Sequence, residues 1–426
     1  MIEWLSRQAG SSPFLVTDDR TWSYGETLIE VEARLASEPV TISPRLDPDS
    51  VFAILAALSG PGAIVVPPLV GGPPGRSPGE GGTERSDVAG RLVGGPPGRS
   101  PGEGVTEASL VVFTSGTTGV PRGVRLTRAN LEAAALASTS HLGHGPDDIW
   151  LLAMPLHHVG GLSILVRSAV AGGSVYLTPG FDPVTSGQAM QGRVSMVSMV
   201  STMLWRTLDH QPGGYRGLRA VLVGGGPIPG GLLERAWDAG IPALPSYGLT
   251  ETFGQVATLL PGSGPQHRAH PLPGVEIRTE ADGRIAVTGD QVSPGYVGEV
   301  DREDRWLVTN DLGEIDDDGA LRVLGRADTV IVSGGENIDP ARIEAELDGH
   351  PHSGDVLVVG VPDQEWGMLV CCLYTGAAAE DELVSWLKVR VPGHMVPKRW
   401  RRVAEIPRSP LGKPDRIRTV DAFSSM

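Results

Sequence analysis

The segment Thr114-Ser-Gly-Thr-Thr-Gly-Val-Pro-Arg-Gly123 lies between the apolar run Ala108-Ser-Leu-Val-Val-Phe113 and a helical pattern from Arg128 to Ser140. It reads as a strand feeding a glycine-rich loop. Gly116, Gly119 and Gly123 let a backbone approach an anion closely, because no Cβ stands in the way. Thr114, Ser115, Thr117 and Thr118 supply hydroxyl donors, and Arg122 carries a permanent positive charge. That is equipment for a polyphosphate, although the same composition also suits a plain Gly/Thr turn. The Walker arrangement of P-loop NTPases is absent, since no Gly-Lys-Ser/Thr follows four residues after a glycine. The rest of the chain has to decide between cradle and turn.

At 426 residues the chain exceeds what one hydrophobic core usually serves, so two or three domains are expected. A formal charge of -15 argues against nucleic acid or an anionic membrane as the main partner. The two cysteines, Cys371 and Cys372, are adjacent and unsuited to stapling anything, which fits a reducing cytosol. Met1 to Arg7 has no signal-peptide plan. The most apolar window, Val51 to Val70, is broken by Gly60, Pro61, Gly62, Pro67 and Pro68 and cannot be an uninterrupted membrane helix. A soluble cytoplasmic protein is expected, as a monomer or homodimer.

Residues 1 to 66 read as a compact α/β opening, with a strand and turn at Arg20 to Tyr24, a helix from Gly25 to Leu35 and a buried strand at Ala63 to Val66. Leu69 to Gly81 then recurs residue for residue as Leu92 to Gly104. The stretch 69–104 contains 12 Gly and 6 Pro with no apolar periodicity, too little to offset its ordering entropy, and reads as a disordered insertion left by a local duplication. From 108 to 260 short apolar runs alternate with helical patterns, as in a doubly wound sheet. The strand candidates are Leu110 to Phe113, Ile149 to Ala153, Ser174 to Leu177, Ser195 to Val200, Ala220 to Val223 and Ala243 to Ser246. Ligands on such sheets collect at the loops beyond the strand ends, here Pro155 to Gly161, Gly224 to Pro229 and Tyr247 to Glu251. Residues 272 to 325 turn β-rich in short strands such as Trp306 to Val308. A last unit follows Asp328, with helices from Pro340 to Leu347 and Glu380 to Arg390 and strands at Asp355 to Val361 and Met368 to Tyr374.

Taken together and in order, these motifs resemble the acyl-adenylate-forming superfamily of acyl-CoA synthetases, luciferases and nonribosomal-peptide adenylation domains. The resemblance runs from about Ala108 to Arg416. It implies an α/β fold with a large N-terminal domain of doubly wound sheets and a small β-rich subdomain, here 1–327, and a mobile α+β C-terminal domain, here 328–426. Thr114 to Gly123 matches the superfamily's phosphate signature except that Arg122 replaces its lysine. Gly224, Gly225, Gly226 and Pro227 resemble the adenine-contacting loop. Tyr247-Gly248-Leu249-Thr250-Glu251 resembles the motif whose tyrosine stacks on adenine, whose threonine meets the α-phosphate and whose glutamate holds magnesium, a cation that demands hard oxygen ligands. Asp311 stands where an aspartate accepts both ribose hydroxyls, with Asn310 replacing a glycine. Arg326 is implied near ribose and phosphates and Asp328 as the hinge between domains. Gly334 and Gly335 belong to a loop that enters the site for thioester formation, and Lys413 matches the catalytic lysine of the terminal segment. Singly, Asp311, Arg326, Asp328 and Lys413 would pass for solvated turn or tail residues.

What the resemblance implies is a carboxylic acid attacking the α-phosphate of ATP with magnesium present, followed by transfer of the acyl group to CoA. Such chemistry depends on positioning and cationic stabilisation, which Lys413 and Arg122 would provide. Within the superfamily the chain looks closest to the o-succinylbenzoate-CoA ligases of menaquinone synthesis, on Met154 to Arg167, Leu222 to Pro229 and Gln255. His158 then reads as a gate on the acyl pocket, or as a packing residue at a strand exit. Arg167 lies in the apolar run Leu162 to Val170 and needs either an internal partner or a substrate carboxylate. Alternatives are a general fatty or aryl acyl-CoA synthetase, a stand-alone adenylation domain and a noncatalytic nucleotide-binding relic. Because a long flexible loop costs little more than a short one, deleting Leu69 to Gly104 and closing with a short Gly/Ser link should leave melting temperature and activity nearly unchanged; a large fall in melting temperature would show the stretch to be structured.

Overall fold

The computed structural model describes residues 2–8, 10–35, 40–41, 45–59, 64–66, 109–114, 122–211, 213–229, 231–407 and 414–424. The repeat at 69–104, the loop residues Ser115, Gly116, Thr117, Thr118 and Gly119, and Lys413 lie outside the described residues.

Ile149–Leu152, Ser174–Leu177, Met196–Met199 and Ala220–Val223 are each four residues long and almost wholly buried. Continuous burial of this kind requires cover on both faces. The cover is divided residue by residue. Trp150, Leu152, Met196, Ala220 and Leu222 face one core, with Leu131 of the helix Arg128–Leu142 and Leu162 and Leu165 of the helix Val159–Ala171. Leu151, Val197, Met199, Val221 and Val223 face the other, with Met190 of the helix Pro183–Met190 and Leu204 and Leu208 of the helix Ser201–His210. These strands run parallel, joined by Pro13–Val16 at one side and Ala243–Leu249 at the other. Antiparallel strands complete a nine-stranded sheet, Thr21–Ser23 at one edge and Gly254–Thr258 with His270–Pro271 at the other.

A second sheet of five strands orders Gly295–Tyr296, Arg122–Leu126, Leu110–Thr114, Ile64–Val66 and Val40–Thr41. Here the structure corrects the sequence reading, which ran the glycine-rich loop directly toward the helix at Arg128. Arg122–Leu126 is a strand, antiparallel to Leu110–Thr114, so the loop joins the two arms of a hairpin. Its two arginines stand three residues apart, so Arg122-Gly-Val-Arg-Leu126 shows no strand alternation of its own. Thr127 then caps the helix Arg128–Leu142, accepting from Asn130 N while the Asn130 side chain accepts from Thr127 N, and Gly143 closes it at φ 61°.

The β-rich sheet contains Glu276–Thr279, Arg284–Thr288, Leu307–Ile315 and Leu321–Arg326, all antiparallel. The stretch read as ending at Val308 runs on to Ile315, which puts Asp311 inside a strand. Beyond it lies the smaller C-terminal sheet of Glu336–Ile338, Ile331–Ser333, Gly367–Tyr374 and Val356–Asp363, with Arg399–Arg402 parallel to Gly367–Tyr374. The helices Pro340–Asp348 and Glu380–Lys388 pack on it through Ile343, Leu347, Leu383 and Leu387. The molecule is thus α/β, with a large N-terminal sheet domain and a smaller β-rich C-terminal domain.

Asp148 anchors the central strands. Its side chain is 4% exposed and accepts from Ser195 Oγ at 2.8 Å, Gly145 N at 2.9 Å and Arg219 Nη1. Burial alone would raise its pKa, but the Arg219 bond, Gly145 N–H and Ser195 hold it below the ordinary 3.8. A carboxyl depressed on folding stabilises fully above its unfolded pKa and loses that contribution as pH falls through the folded value. Arg219→Met should therefore cost about 1.5 to 3 kcal/mol at pH 7, and the gap to wild type in urea titrations should narrow as pH falls below the ordinary 3.8.

Candidate active site

The loops that follow the parallel strands carry the residues singled out in the sequence. After Ala220–Val223 the chain turns through Gly224, whose absent Cβ would stand 2.5 Å from Ser246 O, and Gly225 at φ 78°. Gly225, Gly226 and Pro227 are exposed, and Pro227 O accepts from Ser201 Oγ at 2.8 Å. Next to this loop Ala243–Leu249 extends past the sheet, with an irregular register between Tyr247 and Gly248. A Cβ at Gly248 would meet Gly254 O at 2.1 Å, so only glycine fits there. Thr250–Thr252 forms one 3-10 turn, and Phe253 reverses the chain at φ 51° while 2% exposed. A non-glycine residue in this region is strained; the reversal aims Thr250 and Glu251 off the strand end.

Tyr247 Oη donates to Asp311 Oδ2 at 2.7 Å, joining the nine-stranded sheet to the β-rich one. Asp311 is 8% exposed. Its other oxygen faces Arg326 Nη1 at 3.4 Å, and Arg326 in turn grips Asp328 with Nε at 2.9 Å and Nη2 at 2.7 Å. Burial raises the Asp311 carboxyl above its ordinary range, opposed by the Tyr247 hydroxyl and Arg326. Burial and the Asp311 charge push the Tyr247 phenol well up, so it stays a neutral donor. Each Asp311 oxygen keeps a further lone pair, as a ribose diol would require.

Glu251 is half-buried, and its Oε1 accepts from Tyr296 Oη at 2.7 Å. Arg122 lies alongside, Nη2 2.7 Å from Glu299 Oε1 and Cζ 3.5 Å from the Tyr296 ring centroid. Thr114 Oγ1 reaches Arg122 O at 3.4 Å across the hairpin. Among the described residues no group of three or more His, Cys, Asp or Glu side chains gathers for a metal. One oriented carboxylate is nevertheless a fitting magnesium donor, because that ion takes most of its ligands from phosphate and water.

Arg167 is fully desolvated within a small pocket lined by Ala134, Ala135, Ser138, Ser163, Phe253 and Gln255. Its Nε donates to Ser163 O at 3.1 Å, Nη2 to Ser163 Oγ at 2.5 Å and Nη1 to Gln255 Oε1 at 2.9 Å, and Cζ sits 4.5 Å from the Trp150 ring centroid. Gln255 is the hub: Oε1 also accepts from Ser138 Oγ at 2.6 Å, and Nε2 donates to Thr258 Oγ1 at 2.9 Å. The guanidinium therefore has internal partners, as one of the two expected solutions required, but they are neutral. Burial lowers its pKa to about 9, leaving it charged at neutral pH. His158 is exposed at the start of the helix that carries Arg167, its ring 4.2 Å from that of His157. Burial drops His157 to about 4. Gly334 and Gly335, at φ 59° and 86°, form a two-residue turn between Ile331–Ser333 and Glu336–Ile338, with Gly334 against Trp366.

The sequence reading missed Tyr296, Glu299, Trp150, Ser138 and Ser163. Tyr296 had a weak signal as an aromatic residue in Pro294-Gly-Tyr-Val-Gly298; Trp150 is indistinguishable from core filler.

Glycine-rich loops at the ends of parallel strands, a buried aspartate with acceptor capacity to spare and an oriented carboxylate suit an adenylate-forming enzyme, and the chain belongs to the AMP-binding enzyme family. The model of that family matches residues 71–300, and the model of the AMP-binding enzyme C-terminal domain matches residues 342–413. More particularly, the chain is 38% identical over 326 residues to the 2-succinylbenzoate–CoA ligase of Bacillus thuringiensis subsp. konkukian (strain 97-27), covering 71% of this chain and 67% of that protein. Its fold superposes on o-succinylbenzoate CoA synthetase from Bacillus subtilis bound to the acyl-adenylate intermediate, with a TM-score of 0.81, 26% identity and coverage of 98% and 97%. The same enzyme with ATP and magnesium ion gives 0.80 at 26% identity, covering 97% and 98%.

Proposed function

We propose that this chain is an AMP-forming acid–thiol ligase that activates o-succinylbenzoate with ATP and passes the acyl group to CoA. The observation that carries the choice of acid is Arg167, a charged guanidinium in a dry pocket with neutral protein partners. A charge so placed is expensive unless compensated, and a dicarboxylic acid keeps one carboxylate free while the other reacts. Gln255 and Ser163 fix the plane of the guanidinium, and His158 gates the approach to the acyl pocket.

In the first half-reaction an oxygen of the other carboxylate bonds to the α-phosphorus of ATP, and the bond to the β-phosphate oxygen breaks, releasing pyrophosphate. Asp311 and Tyr247 hold the ribose and adenine, the Gly224 to Pro227 loop covers the base, and Thr114 to Gly119 with Thr250 line the phosphates. Magnesium on Glu251 supplies charge neutralisation of the phosphates when bound. Arg326 and Lys413 add cationic stabilisation. In the second half-reaction the CoA sulfur bonds to the acyl carbon and AMP leaves with the electron pair of the broken bond; the Gly334–Gly335 turn shapes the thiol's path. We place the boundary between the domains at Asp328. A reducing cytoplasmic setting suits the buried free thiols of Cys371 and Cys372. Among the described residues no helix is long and apolar enough to cross a membrane.

ATP–pyrophosphate exchange with o-succinylbenzoate, benzoate and octanoate tests the reading. Exchange should be fastest with o-succinylbenzoate; preference for a monocarboxylate would favour a general acyl-CoA synthetase, and no exchange a relic. In Arg167→Met, kcat/KM for the dicarboxylate should fall tenfold or more, from the loss of about 1.5 to 3 kcal/mol in a charge-assisted bond, with monocarboxylates nearly unaffected. Equal losses would make Arg167 structural. Lys413→Ala should slow adenylation by roughly 10²- to 10³-fold yet spare the reaction of preformed acyl-adenylate with CoA; similar losses in both steps would refute its assignment.

A further inference from the structure

Arg122 departs from the lysine of the superfamily signature, and the structure gives that departure a physical setting. One edge of its guanidinium pairs with Glu299, 2.7 Å away, while its face covers Tyr296 at 3.5 Å. An ammonium could form the ion pair but could not lay a plane on the ring. The phenol beneath donates to Glu251 Oε1 at 2.7 Å. Backbone contacts hold the same parts together. Tyr296 pairs with Val124 in the antiparallel ladder, Val297 N donates to Gly123 O at 2.8 Å, and Ser293 N donates to Glu251 O at 2.7 Å. Both the main chain and the side chain of Glu251 are therefore tied to the segment that Arg122 clamps.

We propose that Tyr296, clamped by Arg122 and Glu299, is a positioning residue that sets the Glu251 carboxylate for the magnesium ion that accompanies ATP, so that Arg122 acts on the metal through Tyr296. This rests on the assignment of Glu251 as a magnesium ligand. A carboxylate free to rotate would meet the metal in the wrong orientation part of the time. The clamp thus tunes how much magnesium is needed for ATP to bind, with no contact of its own to the nucleotide.

The test is calorimetric titration of ATP into the full chain over a series of magnesium concentrations, without acid or CoA, beside thermal melts of the unliganded protein. Tyr296→Phe keeps the ring beneath Arg122 and removes the donor. It should raise the half-saturating magnesium concentration about tenfold, the effect of one lost hydrogen bond to a charged group. At saturating magnesium its ATP affinity should return to that of wild type, with an unchanged melting temperature. Arg122→Lys, which keeps the charge and loses the stack, should shift the magnesium requirement the same way by about threefold. An unchanged magnesium requirement in both variants would overturn the proposal. So would a loss of ATP affinity in Arg122→Lys that is equal at every magnesium concentration, since that would make the cation a direct phosphate ligand. A lowered melting temperature with equally weakened ATP binding at all magnesium concentrations would make Tyr296 merely structural. These measurements need no carboxylic acid, so a failure to adenylate o-succinylbenzoate would refute the proposed function and leave the Tyr296 result standing.

Discussion

Burial on both faces of the central parallel strands is the constraint on which the rest of this molecule depends. Side chains of Ile149–Leu152, Met196–Met199 and Ala220–Val223 alternate between two separate cores, so a polar group placed along their lengths is costly unless it is partnered. Polar chemistry is displaced to the strand ends, where the backbone leaves the sheet and main-chain groups become free to meet a ligand. The glycines at 224, 225 and 248 are consequences of the same crowding. At 224 and 248 a Cβ would strike a neighbouring carbonyl, and the loops can lie this close to the sheet only without one.

Among the buried polar groups, Asp311 and Arg167 are handled differently. Asp311 is hydrogen-bonded within the fold by a neutral phenol and an arginine that it shares with Asp328. Because Tyr247 and Asp311 come from different sheets, their bond also registers the β-rich sheet against the strand that leads into the turn of Thr250 and Glu251. Arg167 makes three of the five hydrogen bonds a guanidinium can donate, to Ser163 and Gln255, its face is covered by Trp150, and among the described residues none of its hydrogen-bond partners carries a charge. A partly satisfied donor set with an unbalanced charge favours an incoming anion.

The C-terminal unit is built on simpler lines. Its sheet buries Ile331, Val358, Val370 and Cys372 against two amphipathic helices, and the tight turn at Gly334 and Gly335 has positive φ at both positions.

By itself the sequence determined the parts whose signals are local. Runs such as Ala220-Val-Leu-Val223 declare a buried strand, Arg128 to Ser140 declares a helix, and an arginine amid Leu162 to Val170 declares a buried charge. The order of the glycine-rich loops along the chain carried the family. Tertiary structure alone decided the pairings: Tyr296 with Glu251 across 45 residues, Arg122 with Glu299 across 177, and Trp150 beneath Arg167. It also made a strand of Arg122–Leu126, which has no alternating pattern of its own, by pairing it with Leu110–Thr114. The physical reason is that periodicity along a chain reports which face of an element is buried, whereas the partner of a polar side chain is set by sheet register and by where distant segments cross.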